Sequence, residues 1–173
     1  MDVLVNAAAD GSGRGTVAEV DAEVVERHLN VNLGSLFTTL RHSLEMLEAA
    51  GAEHGKALVI NVGSAAAKSG APGLSFYAAA KAGVAAMTRT AQMEQRNAGI
   101  QFTTFIPGFT ATPMARWLEQ AGISHDELVQ PDDLGEALRF LLRTSATCHV
   151  PEIEFSPPSQ GEIIQRLMAF RAG

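Results

Sequence analysis

One cysteine, one tyrosine, one tryptophan and three lysines are all that the 173 residues hold of those types. With only Cys148, no internal disulfide and no thiolate metal cluster can form. The five histidines (His28, His42, His54, His125, His149) lie far apart and show no ligand spacing, so no metal site is expected. No apolar run reaches the ~18 residues a membrane span needs, and no basic leader precedes an apolar stretch. A cytoplasmic protein without a membrane partner is the expectation. Positive charge is scarce too: the net charge is −6 and the pI near 5.3, so no basic stripe exists to replace the counterions of a nucleic acid.

What is present is a core. Apolar residues make up 46% and charged residues 18%, outside the disordered range. The length suits one domain over residues 1–173. Four short apolar runs read as strands: 3–6, 57–62, 101–106 and, more weakly, 152–155. "DVLVN", "ALVINV" and "FTTFI" are rich in β-branched residues and barely alternate, which suits strands covered on both faces of a parallel sheet. Helical patterns separate them. Asp21 can cap "EVVERHL". "GSLFTTLRHSLEMLEAAG" spaces Leu36, Leu40, Leu44 and Leu47 at helical intervals, with Gly51 as its stop. A second long helix is expected over 75–97 and a third in "QPDDLGEALRFLLRT". Strand–helix alternation implies βαβ units: an α/β, Rossmann-like parallel sheet with flanking helices. Met1 is followed almost at once by a strand with nothing before it to pair with. Either its edge is bare or the domain is N-terminally truncated, with about four strands remaining.

The chemistry concentrates at "SFYAAAKAGV". Tyr77 and Lys81 stand one helical turn apart on one face. A free phenol, with pKa ~10, is a poor acid or base at neutral pH, and an ammonium beside it favours phenolate. Alone, the pair equally describes a core tyrosine and a solvated lysine. Ser64, thirteen residues earlier, follows "ALVINVG" at the end of a buried strand, where open α/β sheets bind ligands.

The ordered set "VNAAA", "NVNLGSLF", "INVGS", "YAAAK" and "PGFTATPM" resembles the short-chain dehydrogenases/reductases, and "PDDLGEALRFLL" and "PEIEFSPP" look like that family's last helix and strand. The resemblance implies an NAD(P)-dependent oxidoreductase that interconverts a carbonyl and a secondary alcohol. Tyr77 would be the general acid or base. Lys81 would lower the Tyr77 pKa and hold the nicotinamide ribose hydroxyls. Ser64 would hydrogen-bond the substrate oxygen, and Asn32 would hold a water linking Lys81 to solvent. Asn6, Ala7, Pro107, Gly108 and Thr112, with Tyr77 and Lys81, would line the cofactor site. Met114, Trp117 and Leu118 would form an apolar lid over the substrate, with Ser64 beneath it. Helices near 34–50 and 75–97 would build a homodimer or homotetramer; the small residues along 78–86 permit close helix approach. Ala9 (or Ala8) departs from the family, which usually has glycine there.

"GSGRG" at 11–15 is not G-x-G-x-x-G and reads as a loop on the substrate side. The Gly-rich turn that binds the pyrophosphate, and the residue choosing NAD or NADP, have no counterpart in the chain. The family's first three strands are therefore expected to be missing, and cofactor binding by the 173 residues to be weak. The other reading is a catalytically silent Rossmann-like remnant that serves as an interaction module.

Overall fold

The computed structural model describes residues 1–172. Four parallel strands stand in the order β1-β2-β3-β4: β1 Val3–Asn6, β2 Ala57–Val62, β3 Ile100–Pro107 and β4 Glu152–Phe155. Each pair is parallel, with Val3 opposite Leu58, Val59 opposite Phe102 and Phe105 opposite Ile153. The expected α/β class and strand set are therefore present, with β3 one residue longer at each end. β2 and β3 are buried almost throughout, as non-alternating runs demand. β1 hydrogen-bonds to β2 alone among the described residues, and its Val5 is 46% exposed. The terminal strand is thus an edge, not a strand buried on both sides.

Successive residues of β2 feed opposite layers. Ala57 and Val59 join Phe102 and Ile100 beneath Leu40, Leu47 and Ala91 of the long helices, while Leu58 and Ile60 join Phe105 against Leu141. The first layer is α2 (Ser35–His54) and α4 (Ser75–Glu94), and the second is α5 (Pro131–Arg143). Burying a leucine or phenylalanine contributes roughly 1.5–3 kcal/mol, so these strand–helix contacts carry most of the sheet's stability.

α1 (Ala22–Leu29) runs into α2 through a π-helical turn at Asn30–Gly34. Asp21 stands at the N-cap of α1 as expected, but its side chain makes no capping bond. Gly51 is not a stop. α2 continues to His54 and ends at Gly55, whose φ of 76° is left-handed. Gly51 serves close approach instead, since a Cβ there would strike the Ala98 carbonyl and Gly99 of the turn after α4. That turn shortens α4 by three residues from the expected 75–97, and Gly99, with φ of 69°, leads into β3. Gly83 of α4 faces Leu33 of the same chain, with 2.8 Å from a built Cβ to the nearest leucine carbon. That face is used internally. Gln130 and Asp133 form a reciprocal capping box at the start of α5.

Beyond β3, two 3-10 segments, Pro113–Ala121 and His125–Glu127, lie against α6 (Gln160–Ala172), which has no counterpart among the sequence expectations. The short helix α3 (Ala66–Ser69) follows β2. Among the described residues no helix is long and apolar enough to cross a membrane, and no group of three His, Cys, Asp or Glu could hold a metal ion.

Candidate active site

The carboxyl ends of β2 and β3 are tied together past the sheet. Gly63 donates to the Phe105 carbonyl (2.7 Å) and Ala65 to that of Pro107 (2.9 Å). These two bonds hold Ser64 in a fixed turn, and its Oγ accepts from the Ala66 N–H at 3.2 Å. Tyr77, in the first turn of α4, turns its phenol toward Ser64, whose hydroxyl acts to lower the phenol's pKa. One turn on, Lys81 is 2% exposed. Its Nζ donates to the Val62 carbonyl at 2.9 Å and lies 5.8 Å from the Tyr77 ring centroid. Ser64, Tyr77 and Lys81 thus lie together at the end of β2.

The charge states differ from the simple expectation. Burial pushes the Tyr77 phenol up, and the Ser64 hydroxyl only partly offsets it. Burial also holds the Lys81 ammonium down to about 8. A low-polarity environment disfavours both ions, so the lysine does not bring the phenol below its ordinary range here.

Asn32, also 2% exposed, sits in the π turn. Its carboxamide is spent within the loop and α1: Nδ2 donates to the carbonyls of Asp10 (3.0 Å) and His28 (3.1 Å) and lies 3.2 Å from His28 Nδ1, and Oδ1 accepts from the Asp10 N–H (3.2 Å). These bonds reach neither Tyr77 nor Lys81. The link runs through His28, a fully buried ring that stands edge-on to Tyr77 at 6.4 Å between centroids and packs on Phe76 at 4.6 Å.

A crevice of about 260 Å³ opens between the end of β1 and the start of α2, lined among others by Asn6, Ala7, Ala8, Asn32, Ser35 and Val62. Asn6 is half-buried there, and Ala7, Ala8 and Ala9 are all exposed. The Asn6 amide donates to Asn61 Oδ1 (2.8 Å), and Asn61 Nδ2 donates to Thr88 (2.9 Å), forming a polar chain across the sheet. Pro107 and Gly108 lie apart from that crevice, at the end of β3. Gly108 has no room for a side chain, because a Cβ would stand 2.7 Å from Gln160 Oε1. Thr112 caps the first lid segment in position only, with no side-chain capping bond.

The lid residues divide. Met114 is 44% exposed and reaches over Gly11. Trp117 carries the Arg14 guanidinium 4.1 Å from its ring centroid. Leu118 does not face the site: it is fully buried with Ile123, Leu128, Ile163 and Leu167 beneath the lid, so it has no surface to offer a substrate. A more open hollow of about 440 Å³ at the far end of the lid, lined by Glu119 and Gly122 to Asp126, contains none of the expected site residues.

The loop between β1 and α1 escaped the sequence reading as a structured element. Asp10 accepts from the Ser12 N–H and hydroxyl and from Arg27 Nε. The Ser12 hydroxyl, its N–H and the guanidinium hold the Asp10 carboxyl down to about 2, against a smaller opposing effect of burial. The only hint in the sequence is the spacing Arg27, His28, Asn32, which sets His28 and Asn32 one turn apart.

The residues present suit the nicotinamide end of a dinucleotide. A buried ammonium with three N–H groups and a single acceptor among the described residues has donors left for vicinal hydroxyls.

Known proteins resemble this chain in sequence and fold. The chain is 29% identical over 159 residues to a cis-4-hydroxycyclohexanecarboxylate dehydrogenase of Sinomonas cyclohexanicum, covering 85% of this chain and 60% of that one. It is 32% identical over 123 residues to a (3R)-3-hydroxyacyl-CoA dehydrogenase of Canis lupus familiaris, covering 67% and 46%. The chain thus spans about half the length of these curated relatives. Among solved structures, actinorhodin polyketide ketoreductase with NADPH superimposes with a TM-score of 0.74 at 27% identity, over 92% of this chain and 67% of that one. The 3-ketoacyl-(acyl-carrier-protein) reductase from Brucella melitensis complexed with NADH, at 24% identity and covering the same shares, gives 0.78 and speaks for the fold alone. A family profile described as short chain dehydrogenase matches residues 1–122, from β1 through Ser64, Tyr77 and Lys81 to the end of the lid's first segment, so the chain belongs to that family.

Proposed function

We propose that the chain is the catalytic half of an NAD(P)-dependent oxidoreductase that interconverts a carbonyl and a secondary alcohol. The observation that carries this reading is the approach of the Tyr77 phenol to the Ser64 hydroxyl beside a buried Lys81. Two hydroxyls side by side can address one substrate oxygen. As a carbonyl is reduced, that oxygen gains negative charge, and preplaced donors stabilise it before it takes a proton. Ser64 holds the oxygen and Tyr77 delivers the proton; in the oxidation direction Tyr77 accepts it. The Lys81 ammonium, buried and still mostly charged at neutral pH, supplies positive potential to this site and has donors free for ribose hydroxyls. A bound nicotinamide supplies or takes the hydride. The structural neighbour bound to NADPH supports a nicotinamide dinucleotide as cofactor.

Met114 and Trp117 shape an apolar wall that suits hydrophobic ketones and secondary alcohols, as do the alicyclic and acyl substrates in the relatives' names. Exposed Phe37 and Met46 on α2 and Met93 on α4 support a homodimer or homotetramer through those helices.

The test is Tyr77→Phe in the full-length protein, with NADH and NADPH and a ketone panel that includes cyclohexanone. Turnover falls by roughly 10²–10⁴-fold, while dinucleotide affinity by calorimetry stays within about twofold, because the ring remains. A variant that keeps most of its turnover removes Tyr77 from the reaction.

A further inference from the structure

We propose that His28 is a positioning residue: with Asn32 and Arg27 it grips Asp10 and Ser12, so that the loop at 10–15 meets the lid and walls the substrate side of the site around Tyr77.

Three side chains of the α1 and π-turn segment converge on two loop residues, Asp10 and Ser12. His28 Nε2 lies 2.6 Å from the Ser12 carbonyl. A carbonyl only accepts, so the ring proton sits on Nε2, and Nδ1 is left to accept from Asn32 Nδ2 at 3.2 Å. Asn32 takes both the N–H and the carbonyl of Asp10. Arg27 takes the Asp10 carboxylate at 2.9 Å and the Ser12 hydroxyl at 3.1 Å. Both histidine nitrogens are thus committed on a fully buried ring, the costliest place to lose a partner.

The far side of the loop touches the lid. Gly11 lies against Met114, and Arg14 stacks on Trp117. Gly15 donates to the Gly73 carbonyl at 3.1 Å, two residues before α4 and its Tyr77. The loop therefore spans from the helix that carries His28, past the lid, to the segment that leads into the catalytic helix. Its position depends on groups that touch no substrate. The inference rests on the oxidoreductase reading only where substrate enters, because the loop–lid contact exists without turnover.

Trp117 is the chain's one tryptophan, so its emission reports the Arg14 stack directly. Arg14→Ala gives the reference spectrum of the parted loop and lid. His28→Phe keeps a ring on Phe76 but removes both polar contacts; His28→Gln keeps an N–H donor for Ser12. In the full-length protein, His28→Phe shifts Trp117 emission toward the Arg14→Ala value and speeds trypsin cleavage after Arg14 about tenfold, whereas His28→Gln stays within about threefold of the parent. With cyclohexanone as probe, His28→Phe raises KM about tenfold and leaves kcat within about twofold. Should His28→Phe not fold, the half-exposed Arg27→Met decides, with cleavage expected to rise about threefold. Parental emission and parental cleavage in the folded His28→Phe, or unchanged cleavage in Arg27→Met where His28→Phe does not fold, overturn the proposal. A KM change without either optical or proteolytic change overturns it as well. A protein with no turnover at all defeats the oxidoreductase reading and leaves the emission and cleavage arms to judge the loop.

Discussion

The sheet and the lid bury their apolar side chains in different ways. Beneath α2 and α4, eight buried residues from two strands and two long helices interlock: Leu40, Leu47, Ala50, Ala57, Val59, Ala91, Ile100 and Phe102. Beneath the lid, five suffice: Leu118, Ile123, Leu128, Ile163 and Leu167, drawn from short 3-10 segments, a connecting loop and α6. The first cluster joins elements far apart in sequence and cannot loosen without losing the sheet. The second is a satellite joined to the rest through β3 and β4, and so can open locally at smaller cost. The proposed catalytic groups sit on the firm side: Ser64 and Lys81 are anchored to the ends of β2 and β3. The residues proposed to meet substrate, Met114 and Trp117, sit on the satellite.

Three substitutions sharpen or break that contrast. The largest effect belongs to Phe102→Ala, which leaves a cavity where strand and helix layers meet. Global stability drops by about 3–5 kcal/mol in denaturant titration, with folding still a single transition. A second transition would show that the sheet is itself divisible.

Next comes Lys81→Met, which probes the cost of burying a charge at the anchored end. The folded pKa of about 8 lies below the ordinary 10.5, so between those values the unfolded chain holds a proton that the folded one has lost. Stability conferred by Lys81 therefore rises with pH through that window, and the penalty is fully present below 8. Against Lys81→Met, the parent gains on the order of 2–3 kcal/mol between pH 7 and pH 10. Tyr77, whose phenol is pushed up, adds the opposite slope only at the upper end, as it ionises more readily when unfolded. A pH-independent difference would mean that the ammonium is hydrated in solution.

The smallest global effect is expected from Leu118→Ala. The thermal midpoint moves by less than about 3 °C, while amide exchange across 113–128 accelerates at least about tenfold. A loss of stability matching that of Phe102→Ala would erase the distinction between sheet and satellite.

What the sequence revealed follows the same division. β2 and β3 were legible because uninterrupted β-branched runs suit few environments. Ser64, Tyr77 and Lys81 were legible because one strand end and one helical turn suffice to bring them together. The β1–α1 loop was not, since His28 and Asn32 hold it by the backbone groups of Asp10 and Ser12, which leave no mark on residue identity. Gly51 misled for a related reason: a glycine in a helical pattern looks like an end, yet its cause is the backbone of Ala98 and Gly99, almost fifty positions away. Leu118 was misplaced because the resemblance marks the lid as a whole, not which of its side chains turns inward. α6 stayed unread because its anchors, Ile163 and Leu167, make sense only beside the lid.

The amide chain from Asn6 through Asn61 to Thr88 has a consequence for how the outer strand finds its place. Asn6 and Asn61 stand directly opposite each other where β1 meets β2. Sliding β1 by one position would set Val5 against Asn61 and leave a sealed carboxamide oxygen with no donor, at a cost of ~1–3 kcal/mol. A four-residue strand is otherwise free to misalign. Two asparagines thus act as an alignment key, and Asn6→Leu would turn a uniquely seated strand into one that samples neighbouring alignments.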